Sequence, residues 1–284
     1  MTKKLIALDM DGTLLTSHKE IPTENLQAIA DAQKAGHLVM ICSGRPYESL
    51  NDFLKEQGLG NLPVSANNGA LTIVDSQVIH QVFMTPDTIK QAVAWLNENE
   101  YPFNIYTDQG VFCPTAVLDR ADKALLKAPP RTDEYFINVA LLESYLAHNG
   151  AIYFDTYEEL PVDLNVFKFY VFTPEAAKKQ EMAKFAKSLT DVSVTSSYPD
   201  NIEFSHLLGH KGTGVTAVAN HFNIQMENTI AIGDNFNDEG MFDVAGLSVA
   251  MGNGEADIKK RADVVTLTND ECGVAYAIRE YVLK

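Results

Sequence analysis

The sequence predicts an α/β protein, a doubly wound parallel-sheet core interrupted by an inserted α+β domain. Three observations predict it. Short unbroken apolar runs, Leu5-Ile6-Ala7-Leu8 and Leu38-Val39-Met40-Ile41-Cys42, each end in an acidic or glycine-bearing loop, as strands buried on both faces do. Helical periodicity alternates with these runs, so strand, helix, strand, helix, strand is laid down within the first 70 residues. The alternation breaks near Thr85 and resumes at His210, which puts the core in two pieces, 1–84 and 207–284, around an insert at 85–206.

Taken in order, the first run delivers Asp9-Met10-Asp11-Gly12-Thr13 at the carboxyl end of a strand, the edge where open α/β sheets bind ligands. Leu26, Ile29 and Ala30 then mark a helix that Gly36 stops with a left-handed cap. The second run ends in Ser43-Gly44-Arg45-Pro46, with Pro46 expected as a first helical residue and the turn before it as an anion-binding helix start. Gly58 is a further stop. Pro63 to Ala66 reads as a short strand, and Asn67-Asn68-Gly69 as a turn. In the insert, Thr85-Pro86 and Thr173-Pro174 each open a helix, and strands are expected near Tyr101–Tyr106, Gly110–Cys113, Val166–Phe172 and Ile202–Ser205. The order helix then strands occurs twice, a hint of internal duplication. Beyond Lys211-Gly212 come a helix bearing Val215, Val218, Ala219 and Phe222, strands at Thr229–Ile232, Leu247–Met251 and Val264–Leu267, and a last helix with Val274, Ile278, Tyr281 and Val282.

Composition bounds the function. With 22 Lys plus Arg against 38 Asp plus Glu, the net charge is −16, which argues against nucleic acid and anionic membrane as partners. Only four apolar residues separate Lys4 from Asp9, too few for an export signal, and no membrane span is expected. Cys42, Cys113 and Cys272 are odd in number and far apart, which fits buried thiols in a reducing, cytoplasmic setting rather than a metal site. Nothing sets the oligomeric state.

Four carboxylates, Asp9, Asp11, Asp234 and Asp238, lie in loops expected to follow parallel strands and so converge on one edge. Two like charges about 4 Å apart repel by roughly 4 kcal/mol at an effective dielectric near 20, so a cation is needed to hold such a group together. Hard oxygen donors without a His or Cys cluster point to Mg²⁺. Asp-x-Asp-Gly also resembles the start of a calcium loop, but Ser17 and Glu20 fall at the wrong spacing for the later ligands. Lys211, at a helix start, supplies the positive charge a phosphoryl transition state requires.

Asp9-Met10-Asp11-Gly12-Thr13, Ser43-Gly44-Arg45, Lys211-Gly212 and Gly233-Asp234-x-x-Asn237-Asp238 resemble, in order, the four motifs of the haloacid dehalogenase-like (HAD) hydrolases. The insert's position between the second and third motifs is similar to the Cof-type branch with its type IIB cap. Ala250-Met251-Gly252-Asn253, Ala262-Asp263 and Gly273-Val274-Ala275 resemble that branch's C-terminal pattern. The resemblance implies a Mg²⁺-dependent phosphatase acting on small phosphorylated metabolites, sugar phosphates first. It makes Asp9 the nucleophile that forms an aspartyl phosphate and Asp11 the general acid and base, whose proton affinity must then be raised. It gives the metal to Asp9, the Asp11 carbonyl and Asp234, with Asp238 helping directly or through water. It gives the phosphate oxygens to Ser43, Lys211, Asn237 and the amides around Met10 and Gly44. Arg45 either reaches substrate or braces its turn, and Asn68 is read as a turn residue with positive φ before it is read as a substrate contact. His206 and His210 are read as surface or packing residues. Ser43 stands where Thr is frequent, which keeps the hydroxyl.

Three alternatives stay open. A receiver-like phospho-acceptor switch uses a similar residue set but needs no large insert; a phosphosugar mutase shares the core; an idle sugar-phosphate binder would not need every chemical residue. The insert is expected to act as a hinged cap that selects among leaving groups.

Overall fold

The computed structural model describes residues 2–127, 139–148 and 150–284. The chain divides into two compact units, Met1–Gln81 with Gly209–Lys284, and Val82–Leu208. In chain order the first unit opens with β1 (Leu5–Asp9), α1 (Thr23–Lys34), β2 (Leu38–Cys42), α2 (Tyr47–Glu56), β3 (Val64–Ala66), β4 (Leu71–Val74) and β5 (Gln77–Gln81). The second unit holds α3 (Pro86–Glu98), β6 (Phe103–Thr107), β7 (Gly110–Pro114), α4 (Val117–Lys127), α5 (Val139–His148), β8 (Ile152–Phe154), β9 (Val166–Phe172), α6 (Ala176–Ala186), β10 (Val192–Thr195) and β11 (Asn201–His206). The first unit then closes with α7 (Lys211–His221), β12 (Thr229–Gly233), α8 (Glu239–Val244), β13 (Leu247–Ala250), α9 (Ala256–Arg261), β14 (Val264–Val265) and α10 (Gly273–Tyr281).

The first unit is an α/β layer structure on an eight-stranded sheet of order β14-β13-β12-β1-β2-β3-β4-β5, parallel from β14 to β3. The alternation of side chains in β1 explains the two helix layers. Ile6 and Leu8 pack with Ile29, Leu50 and Ile278 of α1, α2 and α10, whereas Leu5 and Ala7 pack with Val215, Met241 and Ile258 of α7, α8 and α9. Both faces are dry, so the strand must be apolar throughout, and each fully buried Leu or Ile contributes about 1.5–3 kcal/mol. The hairpin β4–β5 adds an antiparallel edge for which the sequence carries no clear signal, and β5 is mostly exposed with the pattern of an edge strand.

The second unit carries its own core on a six-stranded sheet of order β10-β11-β9-β6-β7-β8 among the described residues. Phe103, Phe169 and Phe204 share one face with Leu96 of α3 and Met182 of α6. The helix-then-strands order appears as α3 before the β6–β7 hairpin and α6 before the β10–β11 hairpin. Two proline expectations move. Thr85 caps α3 as expected, its side chain accepting from the Thr88 N–H with Pro86 as first residue, but α6 begins only at Ala176 because Thr173 donates its N–H to Asp200 O and continues the strand. Pro46 likewise sits just before α2 with ψ 148°, an extended residue rather than a helical one. Among the described residues, no helix is long and apolar enough to cross a membrane.

Candidate active site

The sheet order reverses at β1: β2 and β3 follow on one side, β12 and β13 on the other. Loops leaving the carboxyl ends of β1 and β12 diverge at such a switch point and leave a crevice. Asp9 ends β1, and Asp234 follows β12 directly.

Gly12 and Gly233 make the crowding there sterically feasible. Gly12 has φ +84°, and a Cβ on it would stand 2.5 Å from Asp234 Oδ2. A Cβ on Gly233 would stand 2.5 Å from Asp238 Cγ. With both spaces left open, Thr13 Oγ1 donates to Asp234 Oδ1 at 2.8 Å, and Asp238 Oδ2 folds back to accept the N–H groups of Asp234 at 2.8 Å and Asn235 at 2.9 Å. Lys211, the first residue of α7, has no exposed side-chain surface; its Nζ donates to Asp9 Oδ1 and to Asp238 Oδ1, the latter at 2.6 Å. Both oxygens of Asp238 are therefore engaged, by a lysine and by backbone.

One carboxylate oxygen from each of Asp9, Asp234 and Asp238 lies within 4.8 Å of the others, and all three residues are buried. One lysine faces three carboxylates. Burial and the Asp238 charge push Asp9 up to about 6 in spite of Lys211. Burial, with Asp9 and Asp238 beside it, also raises Asp234 well above the usual carboxylate range. Burial works against the Lys211 charge, but Asp238 and Asp9 outweigh it and raise that ammonium further. The donor set, all hard oxygens short of positive charge, fits a hard divalent cation.

Asp11 does not join this cluster with its carboxylate. Arg45 grips it through Nε to Oδ2 and Nη2 to Oδ1, both at 2.8 Å, and Lys19 Nζ reaches Oδ1 at 3.0 Å. Burial alone would raise this carboxyl, yet Arg45 and Lys19 hold it down at about 2. The sequence reading requires a raised proton affinity here; the structure shows the reverse, because two cations share one carboxylate.

The remaining predicted residues line neighbouring loops. Ser43 is buried, and its Oγ accepts the Arg45 N–H at 3.2 Å, which places Gly44 in a tight turn. Asn67 and Asn68 both have positive φ, 50° and 58°; Asn68 donates its N–H to Ser43 O, and its side-chain Oδ1 accepts from Asn237 Nδ2 at 3.2 Å. Asn68 is thus a turn residue whose side chain also joins the second motif to the fourth. Met10 is buried, its carbonyl accepting the Leu15 N–H at 2.9 Å. His210 precedes α7, with Nε2 at 3.0 Å from Thr213 Oγ1, a packing position as expected.

Four supporting residues escaped the sequence reading. Thr13 orients Asp234; Lys19 holds Asp11; Asn253 Nδ2 donates to Gly12 O at 2.8 Å; and Asn269 Nδ2 donates to Leu15 O at 2.9 Å while its N–H bonds Asn253 Oδ1. Thr13 and Asn253 lie inside quoted motifs, but Lys19 and Asn269 carry no local signal.

The comparisons agree with this geometry. A family model described as haloacid dehalogenase-like hydrolase matches residues 6–278. The chain is 31% identical to the phosphatase YwpJ of Bacillus subtilis (strain 168), covering 97% of this chain and 99% of that one. It is 32% identical to the 5-amino-6-(5-phospho-D-ribitylamino)uracil phosphatase YwtE of the same organism (97% and 96% covered), and 28% identical to the pyridoxal phosphate phosphatase YbhA of Escherichia coli K12 (100% and 100%). Among solved structures it is similar to a haloacid dehalogenase-like hydrolase from B. subtilis, with TM-score 0.84, 29% identity and 98% and 100% covered. It also shares the fold of the HAD subclass IIB sugar phosphatase BT4131, with TM-score 0.80, 21% identity and 99% and 100% covered. A match spanning nearly the whole chain, together with four motifs gathered at one sheet edge, settles the family: this chain belongs to the haloacid dehalogenase-like hydrolases.

Proposed function

We propose that the protein is a Mg²⁺-dependent phosphatase of small phosphomonoesters, sugar phosphates foremost, working in the cytoplasm through an aspartyl phosphate on Asp9. The observation that carries the reading is the buried Asp9, Asp234 and Asp238 group, in which one lysine bridges Asp9 and Asp238, with Asp11 two residues beyond Asp9 and held apart from it. Asp9 and Asp234, the Asp11 carbonyl, and Asp238 directly or through water would hold the cation, which when bound supplies the charge that neutralises phosphoryl oxygens.

The chain's own residues account for the rest. An Asp9 oxygen attacks phosphorus as the bond to the leaving oxygen breaks, and Asp11, kept ionised by Arg45 and Lys19 in the unliganded protein, gives that oxygen a proton taken up from solvent once substrate draws Arg45 away. Asp11 then takes a proton from the water that attacks the aspartyl phosphate, and Asp9 is regenerated. Lys211, Ser43, Asn237 and the amides of Met10 and Gly44 hold the phosphoryl oxygens. Lys211 needs no reorganisation to do so, since Asp238 already fixes it. Arg45 and Asn68 stand beside these groups as substrate contacts.

The 82–208 unit selects the leaving group in this reading. Relatives named for a ribitylaminouracil phosphate and for pyridoxal phosphate match this chain along its full length, which supports placing their difference in side chains rather than in architecture. Release of inorganic phosphate from a panel of sugar phosphates, pyridoxal phosphate and flavin mononucleotide, with Mg²⁺, tests the proposal. Turnover of several compact esters is expected, and phosphate release from none of them would refute it. Exchange of 82–208 for the matching segment of a relative should move the ranking of substrates toward that relative.

A further inference from the structure

The hydrogen bonds on Asp11 are not equivalent. Arg45 reaches both oxygens, whereas Lys19 reaches Oδ1 alone. Oδ2 is thus held by Arg45, and Oδ1 by Arg45 and Lys19 together.

Lys19 is set up for this contact by its backbone. It has φ 63°, in the left-handed region that a lysine rarely adopts. Its N–H donates to Thr16 O at 2.9 Å, and the Thr16 N–H donates to Glu20 O at 2.9 Å, which closes a tight turn. That turn is braced from outside: Ser17 N–H bonds Asp270 Oδ1 at 2.8 Å, and Leu15 O accepts Asn269 Nδ2 at 2.9 Å. The side chain then folds back over eight residues onto Asp11. The ion pair with Asp11 does not by itself explain the arrangement through stability. With the Lys19 side chain 47% exposed, the ion pair returns little, while a left-handed lysine and an immobilised side chain both cost.

We propose that Lys19 is a positioning residue for Asp11, keeping Oδ1 in place while Arg45 exchanges from Asp11 onto oxygens of the bound phosphomonoester, so that Oδ2 is the oxygen presented to the leaving group. The inference rests on the phosphatase reading above. In the first step Asp9 bonds to phosphorus, the phosphorus–oxygen bond breaks with its electron pair going to the leaving oxygen, and that oxygen takes the proton that Oδ2 gains from solvent once Arg45 has left it, Asp11 being a carboxylate while Arg45 is in place. In the second step water bonds to phosphorus, its proton returns to Oδ2, and the bond to Asp9 breaks. Lys19 itself touches no reacting atom.

The test uses the full-length protein with Mg²⁺, one alkyl phosphate that needs its leaving oxygen protonated, and a nitrophenyl phosphate that does not. Lys19→Met keeps the side chain's length without its charge; Lys19→Asn, a residue that tolerates left-handed backbone, controls for strain; Lys19→Arg restores a cation. Lys19→Met and Lys19→Asn should each lower kcat on the alkyl ester by about 10- to 100-fold, the size of a small misplacement of a catalytic group, with a clearly smaller loss on the nitrophenyl ester. Lys19→Arg should recover most of the alkyl rate. Equal losses on both esters, no loss on either, or a wild-type rate for Lys19→Asn beside a slow Lys19→Met would each overturn the assignment. A wild-type protein that turns over neither ester overturns the phosphatase reading itself, a result distinct from these.

Discussion

Two buried lysines, one in each unit, show what separates a site from a piece of structure. In the 82–208 unit, Lys168 on β9 meets Glu203 on β11 at 2.6 Å, with its ammonium 4.7 Å from the Tyr106 ring centroid. The other oxygen of Glu203 accepts from Ser197 Oγ and from Asn201 Nδ2 at 3.2 Å. Among the described residues Lys168 meets one carboxylate, which has polar neighbours. Lys211 faces Asp9 and Asp238 directly with Asp234 beside them, so its cluster is left negative. A buried lysine facing one carboxylate needs no cation to offset that charge. An unbalanced cluster, on the proposed function, is completed by a cation and a substrate.

The largest expected effect sharpens the contrast at Asp9. Asp9→Asn should lower turnover by at least about 10⁴-fold, since it removes the proposed nucleophile. It should not lower the Tm of the metal-free protein, because it also thins a crowded group of carboxylates. A variant that keeps a measurable fraction of the wild-type rate would put the nucleophile elsewhere. Asp11→Asn should cost on the order of 10² to 10⁴ on an alkyl phosphate and less on a nitrophenyl phosphate, as loss of a general acid does. Equal losses would leave Asp11 a positioning role only.

The pair of Lys168 and Glu203 should behave in the opposite way. Glu203→Gln leaves Lys168 without its counter-charge and should destabilise by about 3–5 kcal/mol, read as a fall in the denaturation midpoint that Mg²⁺ does not restore. The double change Lys168→Met with Glu203→Leu should recover most of that loss. A Glu203→Gln protein as stable as wild type would break the comparison.

A smaller effect lies in pH. Asp9, held up to about 6 against an ordinary 3.8, favours the folded state fully below 3.8, and that contribution is lost as pH rises through about 6. Asp11, held down at about 2, contributes above 3.8 and loses its contribution as pH falls through about 2. In chelator, the wild-type Tm should carry a contribution that rises as pH is lowered from about 7 to about 4.5, and Asp9→Asn should lack it. Identical profiles for the two proteins would remove the basis for treating Asp9 as a strained carboxylate.

How far the sequence led follows from the same physics. β1, β2 and β12 were readable because strands buried on both faces must be apolar throughout, and the acids and glycines at their ends mark the loops at once. Asn68 was readable as a backbone requirement, although its contact with Asn237, 169 residues away, was not. The β4–β5 hairpin was missed because Leu71–Val74 and Gln77–Gln81 carry neither a long apolar run nor clean alternation. The low proton affinity of Asp11 was missed because it depends on where Arg45 and Lys19 point, and spacing says nothing of side-chain direction. Asn269 was missed for a similar reason: it braces the first motif loop from 254 residues away.

Turnover of a generic phosphomonoester by the intact protein in excess chelator, and again after Mg²⁺ is returned, tests most directly the claim that the unbalanced lysine cluster is a cation-dependent catalytic site. Phosphate release should vanish in chelator and return with Mg²⁺ for wild type, and it should fail to return for Asp234→Asn. Full activity in excess chelator would contradict the account.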